Sequence, residues 1–327
     1  LGAPGHPLRS EEAAVCHGIW RSQAEIPFCF IYLIGGIQVV VKCDLTGYIF
    51  AASNLGTNNM ARRAARKSTD DEQLLRSDNG GVARLTLNRP NAGNSLSSGL
   101  MAALQGELDE IREDKAVRVV VIAASGKIFC AGHDLKEIRA HPGRAAYEAL
   151  FRQCGAMMTS IVKLPQPVIA RVQGLATAAG CQLVASCDLA VAAASARFCT
   201  PGVHIGLFCS TPMVALSRNV PRKVAMEMLL TGEEITAGAA EKWGLINRAV
   251  ADDALDSALD ELCAGIADKS SLTLAIGKEA FYRQLEMGLD EAYEYASQVM
   301  TENMLARDAE EGIDAFLQKR PPVWRGR

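Results

Sequence analysis

The 327 residues carry 34 Lys and Arg against 37 Asp and Glu, a formal net charge of -3, with 49% hydrophobic and 22% charged residues. That balance suits one large globular domain or two smaller ones, and it excludes a bulk electrostatic attraction to nucleic acid or to an anionic membrane. The 9 Phe, 6 Tyr and 3 Trp are not interleaved with basic residues, so no nucleic-acid partner is expected.

The ten cysteines are Cys16, Cys29, Cys43, Cys130, Cys154, Cys181, Cys187, Cys199, Cys209 and Cys263. They form no CxxC pair and most sit in apolar runs. They read as small buried hydrophobes in a reducing compartment, and no metal site is expected.

Residues 1–78 are expected to lie outside the domain, as a disordered, transit or doubtful gene-model extension. The chain starts at Leu1 rather than Met, so a fragment, a processed form and an uncertain gene model all stay open. Residues 26–41, "IPFCFIYLIGGIQVVV", form an apolar stretch interrupted by Pro27, Gly35, Gly36 and Gln38. A spanning helix needs ~20 apolar residues, so no stable membrane span is expected. Met60, followed by Arg62, Arg63, Arg66 and Lys67, fits a true start with a basic arm, the end of a transit segment, or a solvated basic tail.

From residue 80 the periodicity sharpens. "GVARLTLNRP" alternates apolar residues and stops at a proline turn, which predicts a strand. "SLSSGLMAALQGELDEIRED" spaces Leu100, Leu104, Leu108 and Ile111 as one helical face, with Ser97 or Ser98 as the cap. "AVRVVVIAAS" predicts a strand buried on both faces. "KIFCAGHDLKEIRA" then passes through Gly132 into a helix, with Asp134 and Glu137 in capping-box spacing.

A helix over about 144–163 follows, then the strand "QPVIARVQG". A helix opens in "LATAAGCQLVASCD", followed by the strands "CDLAVAAAS" and "ARFCTPG". Helices are expected near 211–231 and 236–243, and residues 252–318 read as helical. The organisation expected is an α/β core over 79–270 and a helical region over 271–327.

Two strand-to-helix turns, "FCAGHD" (129–134) and "LATAAGCQ" (175–182), share one design. Each leaves a buried strand through small residues and opens a helix, whose first N–H groups have no intrahelical partner. Aimed at one point, two such ends make a pocket for a developing oxyanion. Either turn alone is equally a tight packed connection.

Residues 80–324 resemble the crotonase (enoyl-CoA hydratase/isomerase) superfamily. The resemblance rests on "LTLNRPNAGNSLS", "KIFCAGHDLKEI", "PVIARVQGLATAAGCQLVASCDLAVAAASARFCTPGVHIGL", "LLTGEEITAGAAEKWGLINRAV" and "FLQKRPPVW". It implies a crotonase-like ββα superhelix with C-terminal helices that build a homotrimer or hexamer. The implied ligand is a coenzyme A thioester, with no permanently bound cofactor. The oxyanion donors it implies are the backbone N–H groups of His133 and Ala179, the second usually Gly in the family.

The nucleotide end is implied near the backbone of Arg89, Asn91 and Ala92 and at Lys136. Phe316 and Lys319 are implied to reach a neighbouring subunit's ligand. Lys136 also reads as a solvated helix lysine, and Phe316 as core. Resemblance to a branch whose vertebrate members are mitochondrial implies the mitochondrial matrix; a bacterial cytoplasm is the alternative.

The sequence departs from the family where hydratases carry two carboxylates. Gln182 stands at the first position and Gly202 at the second, and neither is an acid or a base. Losing such a group costs ~10²–10⁴ in rate.

His204, two residues beyond Gly202, could substitute as a base or be an ordinary loop histidine. Cys181, Cys199 and Cys209 would need a pKa-lowering partner to act as nucleophiles, and they read as packing. Ser210 and Thr211 cannot replace an acid, and Asp188 reads as structural.

The function expected is an acyl-CoA-binding protein of fatty-acid metabolism with weak or non-hydratase activity. The alternatives are an active hydratase or isomerase using His204, and a structural partner in crotonase oligomers.

Overall fold

The computed structural model describes residues 29–34, 37–42 and 72–327. The chain forms two compact units, Leu1–Lys67 and Ser68–Arg327. In the first, β1 (Cys29–Ile34) and β2 (Ile37–Lys42) pair antiparallel, with Ile34 opposite Ile37. Most of the apolar run at 26–41 is thus paired strand, as its β-branched residues favour. No helix among the described residues is long and apolar enough to cross a membrane. The basic arm after Met60 lies outside the described residues.

The second unit is built on a six-stranded sheet. Its strands are β3 (Leu74–Asn79), β4 (Val82–Leu87), β5 (Val119–Ala124), β6 (Val168–Val172), β8 (Leu189–Ala193) and β11 (Arg248–Val250), in the order β11-β8-β6-β5-β4-β3. Only β3 runs antiparallel to its neighbour. Every residue of β5 is buried, as its unbroken apolar run requires.

β3 begins inside the segment expected to lie outside the domain. Its sequence, "LLRSDN", lacks alternation because it is a polar edge. There Arg76 is tied to Asp78 at 2.9 Å and to Glu107 at 3.1 Å. Such charges suit an edge strand.

One face of the sheet packs on α1 (Ser98–Glu113) and α3 (Arg144–Val162), through Leu100, Leu104, Leu108, Met157 and Ile161. The other face, through Val119, Val121 and Ile169, packs on Leu259 and Cys263 of α8 (Leu255–Ala267). Ser97 caps α1 by accepting the Leu100 N–H at 3.1 Å, and Asp134 caps the short α2 (Leu135–Ala140).

A second, three-stranded sheet, β10-β9-β7, joins β7 (Leu175–Thr177), β9 (Arg197–Cys199) and β10 (Ile235–Thr236). It brings the start of α4 (Ala179–Ser186) over the end of the first turn. The helical stretch expected over 211–231 is two helices, α5 (Pro212–Asn219) and α6 (Arg222–Thr231), because Pro221 disfavours helical geometry at the residue before it. The helix α7 (Ala237–Trp243) follows, capped by Thr236.

The C-terminal region is α9 (Ser271–Gln284), α10 (Leu289–Met304) and α11 (Arg307–Gln318). Lys278 of α9 reaches under the sheet to Asp188 at 2.6 Å and to the Ile161 and Gln166 carbonyls at 3.0 Å. Asp188 also accepts from the Val168 N–H at 2.7 Å and the Tyr282 hydroxyl at 2.9 Å. Burial pushes the Asp188 carboxyl up and the Lys278 ammonium down, each opposed by its partner. Asp188 is therefore a structural anchor. Leu289 and Tyr293 of α10, Leu305 at its C-terminal cap and Phe316 of α11 are exposed.

Candidate active site

The first turn is held by a polar scaffold. The Arg89 guanidinium donates to the Ser95 carbonyl at 2.6 Å and to Asp134 at 2.9 Å. Asn94 is fully buried, donates to the Ser125 and Ile128 carbonyls at 2.8 and 2.7 Å, and accepts from the Arg89 N–H at 2.8 Å. Although desolvation opposes it, the Arg89 hydrogen bond holds the Asp134 carboxyl below its usual value. The carboxylate therefore stays ionised as the cap of α2, accepting from the Lys136 and Glu137 N–H groups. Glu137 does not close a capping box on its own helix; it accepts the Ser98 N–H of α1 at 3.0 Å.

Gly132 turns the critical peptide. Leu96 and His133 form a parallel bridge in which the Leu96 N–H donates to the Gly132 carbonyl at 2.7 Å, and the Asp134 N–H to the Leu96 carbonyl at 3.2 Å. A parallel bridge of this kind leaves the middle residue's own N–H on the opposite side. Two residues earlier Ala131 donates to Gly93, on the side of residue 96. The φ of +86° at Gly132, open mainly to glycine, breaks the alternation and leaves the His133 N–H facing away from residue 96. A Cβ at Gly132 would stand 2.9 Å from the Ala178 Cβ and 3.3 Å from the Ala179 nitrogen.

The second turn is stitched to the first. Cys130 bridges Ala176, and its carbonyl accepts the Thr177 N–H at 3.0 Å. Gly180 lies so close that a Cβ there would overlap that same carbonyl oxygen. Ala178 adopts φ 50° and ψ -118°, the first corner of a type II′ turn, while its N–H donates to the Cys199 carbonyl at 2.9 Å. That conformation is strained for alanine, at a cost of about 1–3 kcal/mol. It starts α4 with the Ala179 N–H unpaired. Neither the His133 N–H nor the Ala179 N–H meets an acceptor among the described residues.

Gln182 follows one turn into α4. It is 5% exposed, and its Oε1 is buried without a hydrogen-bond partner. Gly202, in the 3₁₀ turn Pro201–Ile205, has no room for a side chain. A Cβ there would lie 2.7 Å from the Leu207 carbonyl oxygen and 2.9 Å from the Cys209 sulfur, because residues 207–209 fold back over it.

His204 is exposed, and its Nε2 pairs with the Thr231 carbonyl at 2.8 Å, capping the end of α6. That nitrogen is a donor there, so the geometry lends no support to a substitute base. Burial pushes the Cys181, Cys199 and Cys209 thiols up, which suits packing rather than nucleophilic attack.

The His133 ring is the part of this residue that the resemblance implies would flank the CoA path. It stacks edge-on against Phe151 of α3, with ring centroids 5.6 Å apart. Both ring nitrogens are buried without a hydrogen-bond partner among the described residues. Burial pushes the ring's pKa below its ordinary 6.5, against the Leu96 carbonyl and Glu137, which favour the charged form. The folded state therefore holds a neutral imidazole.

As pH falls below about 6.5, the unfolded chain takes up a proton that the folded state resists, so stability is lost toward the folded pKa. The slope from this group is at most about 1.4 kcal/mol per pH unit. Urea unfolding between pH 7.5 and 5 should show His133→Gln losing less stability than the parent. Parallel profiles would contradict this.

At the nucleotide end, Asn91 and Ala92 lie on an exposed 3₁₀ turn. The Arg89 side chain is committed to the scaffold rather than open to a ligand. Lys136 is exposed at the start of α2. Phe316 is 84% exposed, so it is not core, and Lys319 ends α11 at φ 56°. The single chain does not bring Phe316 or Lys319 to the two turns.

The enoyl-CoA hydratase/isomerase family profile matches residues 77–327. The chain is 48% identical over 244 residues to enoyl-CoA hydratase domain-containing protein 3, mitochondrial, of Xenopus laevis, covering 75% of this chain and 83% of that one. An enoyl-CoA hydratase structure from Mycobacterium smegmatis superposes with a TM-score of 0.77 at 54% identity, covering 78% of this chain and 99% of that chain. The human enoyl coenzyme A hydratase domain-containing protein 3 structure gives 0.76 at 45% identity, covering 77% and 100%.

Proposed function

Because the chain belongs to the enoyl-CoA hydratase/isomerase (crotonase) family, we propose that the His133 and Ala179 N–H groups hold the carbonyl oxygen of an acyl-CoA thioester. Ordinary hydration is suppressed in this reading, since neither Gln182 nor Gly202 can move a proton. The observation that carries it is the pair of unpaired N–H groups brought together by the Cys130–Ala176 bridge and by Gly132.

Two donors aimed at one oxygen stabilise enolate charge as it develops, at about 2.7–4 kcal/mol for a single donor in related sites. The protein thus polarises a thioester but lacks the acid and base that would add or remove water. The CoA end would run past the backbone of Arg89–Ala92 and past Lys136.

Phe316 and Lys319 would meet the ligand of a neighbouring subunit, in a homotrimer or hexamer assembled through the apolar faces of α10 and α11. The mitochondrial matrix is the proposed compartment, following the names of the vertebrate relatives. The role is binding and presentation of acyl-CoA in fatty-acid metabolism.

Replacing Ala179 by its α-hydroxy-acid analogue tests the donor: an ester oxygen then stands where the unpaired N–H was, and no side-chain atom is added beside the strained Ala178. Calorimetric titration with butyryl-CoA should give at least tenfold weaker binding, with the circular dichroism spectrum unchanged. Equal affinity in a folded variant would contradict the assignment.

A further inference from the structure

Lys278 spends its whole ammonium inside the fold. Its Nζ donates to Asp188 at 2.6 Å and to the Ile161 and Gln166 carbonyls at 3.0 Å each, and its side chain is 8% exposed. An ammonium has three N–H donors, and here each has an acceptor. A buried ion pair is a poor source of stability, since an apolar pair of the same volume serves as well or better. What the three bonds join is more telling.

The Ile161 carbonyl belongs to the last turn of α3, the helix whose Phe151 stacks on the His133 ring. Asp188 stands two residues beyond α4, the helix that the Ala179 N–H opens. All eight residues of α4 are buried. Eight residues of helix span about 12 Å, and so short a rod in a close-packed interior shifts as one piece. Its first turn abuts Cys130 through Gly180. Its far end is held by Asn219, which donates to the Ala185 carbonyl at 2.9 Å, and by Asp188, which also accepts from Val168 and Tyr282. One ammonium therefore fixes the far ends of both helices that bear on the two donors.

Resting on the acyl-CoA reading above, we infer that Lys278 is a positioning residue for the oxyanion pocket. By holding the ends of α3 and α4 in register, it sets where the His133 and Ala179 N–H groups point. It touches no ligand.

Lys278→Met alone strands the Asp188 carboxylate and destabilises the whole fold. Paired with Asp188→Asn it removes both charges, and the Asn oxygen still accepts the Val168 N–H. Infrared difference spectra of butyryl-CoA, isotopically labelled at the thioester carbonyl and bound to the full chain, read the pocket directly. The parent should move the carbonyl stretch to lower frequency, because two donors draw charge onto the oxygen. In the double variant that shift should fall by about half. Its butyryl-CoA affinity should drop about tenfold while free CoA binds within about twofold of the parent. A purely structural pair predicts no such split. Should the double variant not fold, Tyr282→Phe decides: it removes one bond to Asp188 and no charge, and should give a smaller loss of the same kind.

Parental shift and affinity in the deciding variant would overturn the inference and leave the thioester reading standing. Equal weakening of butyryl-CoA and free CoA would do the same, since it marks general loosening. A parent that binds butyryl-CoA no better than free CoA, with no shift of the stretch, would overturn both.

Discussion

Gly180→Ala is expected to destabilise the fold by about 3–5 kcal/mol and to abolish acyl-CoA binding. The added Cβ would overlap the Cys130 carbonyl oxygen and stand 2.8 Å from the Cys130 Cβ. Neither can yield cheaply: the Cys130 carbonyl accepts the Thr177 N–H, and its side chain is fully buried. Relief would require separating the two turns, which misaligns the His133 and Ala179 N–H groups. At ~2–4 °C per kcal/mol for a domain of this size, thermal unfolding should fall by about 6–20 °C. A variant that unfolds within 2 °C of the parent and binds butyryl-CoA normally would refute the stitched-turn geometry.

Gly202→Glu should also destabilise by about 3 kcal/mol or more, and it should not restore hydration even when combined with Gln182→Glu. The Leu207 carbonyl and the Cys209 sulfur already occupy the volume a side chain at 202 would need, and overpacking a filled site is costly. A carboxylate forced in would also be desolvated, which favours its protonated form. Denaturant unfolding and a crotonyl-CoA hydration assay on the single and double variants check both statements. A stable double variant with hydratase turnover would show that only two residues separate this site from a hydratase.

Much of the site was legible in the sequence because it is built from local signals. Small residues after a buried strand, followed by a capped helix, mark 129–134 and 175–182 without a structure. That Gln182 and Gly202 stand where hydratases carry carboxylates is what the resemblance implies.

What the sequence hid depends on long-range packing. Arg89 and Asp134 are 45 positions apart, and nothing local announces their pairing. Asn94 carries no local signal, yet its buried amide ties its own turn to the 125–128 loop. That Gly202 has no space above it follows from residues 207–209 folding back, and that the His204 ring turns to Thr231 follows from where α6 ends. The edge strand β3 escaped because its stability comes from pairing with β4 and from Arg76, rather than from an alternating pattern. The strain at Ala178 is likewise invisible in composition.

In the proposed reading, the pocket holds a thioester but lacks the acid–base pair for hydration. The most direct test measures crotonyl-CoA binding by calorimetry and its hydration by loss of enoyl absorbance on the same preparation, beside a family hydratase that carries both carboxylates. Saturable binding is expected, with turnover lower by at least ~10⁴, the combined effect of two missing groups at ~10²–10⁴ each. Turnover within tenfold of that hydratase would contradict it.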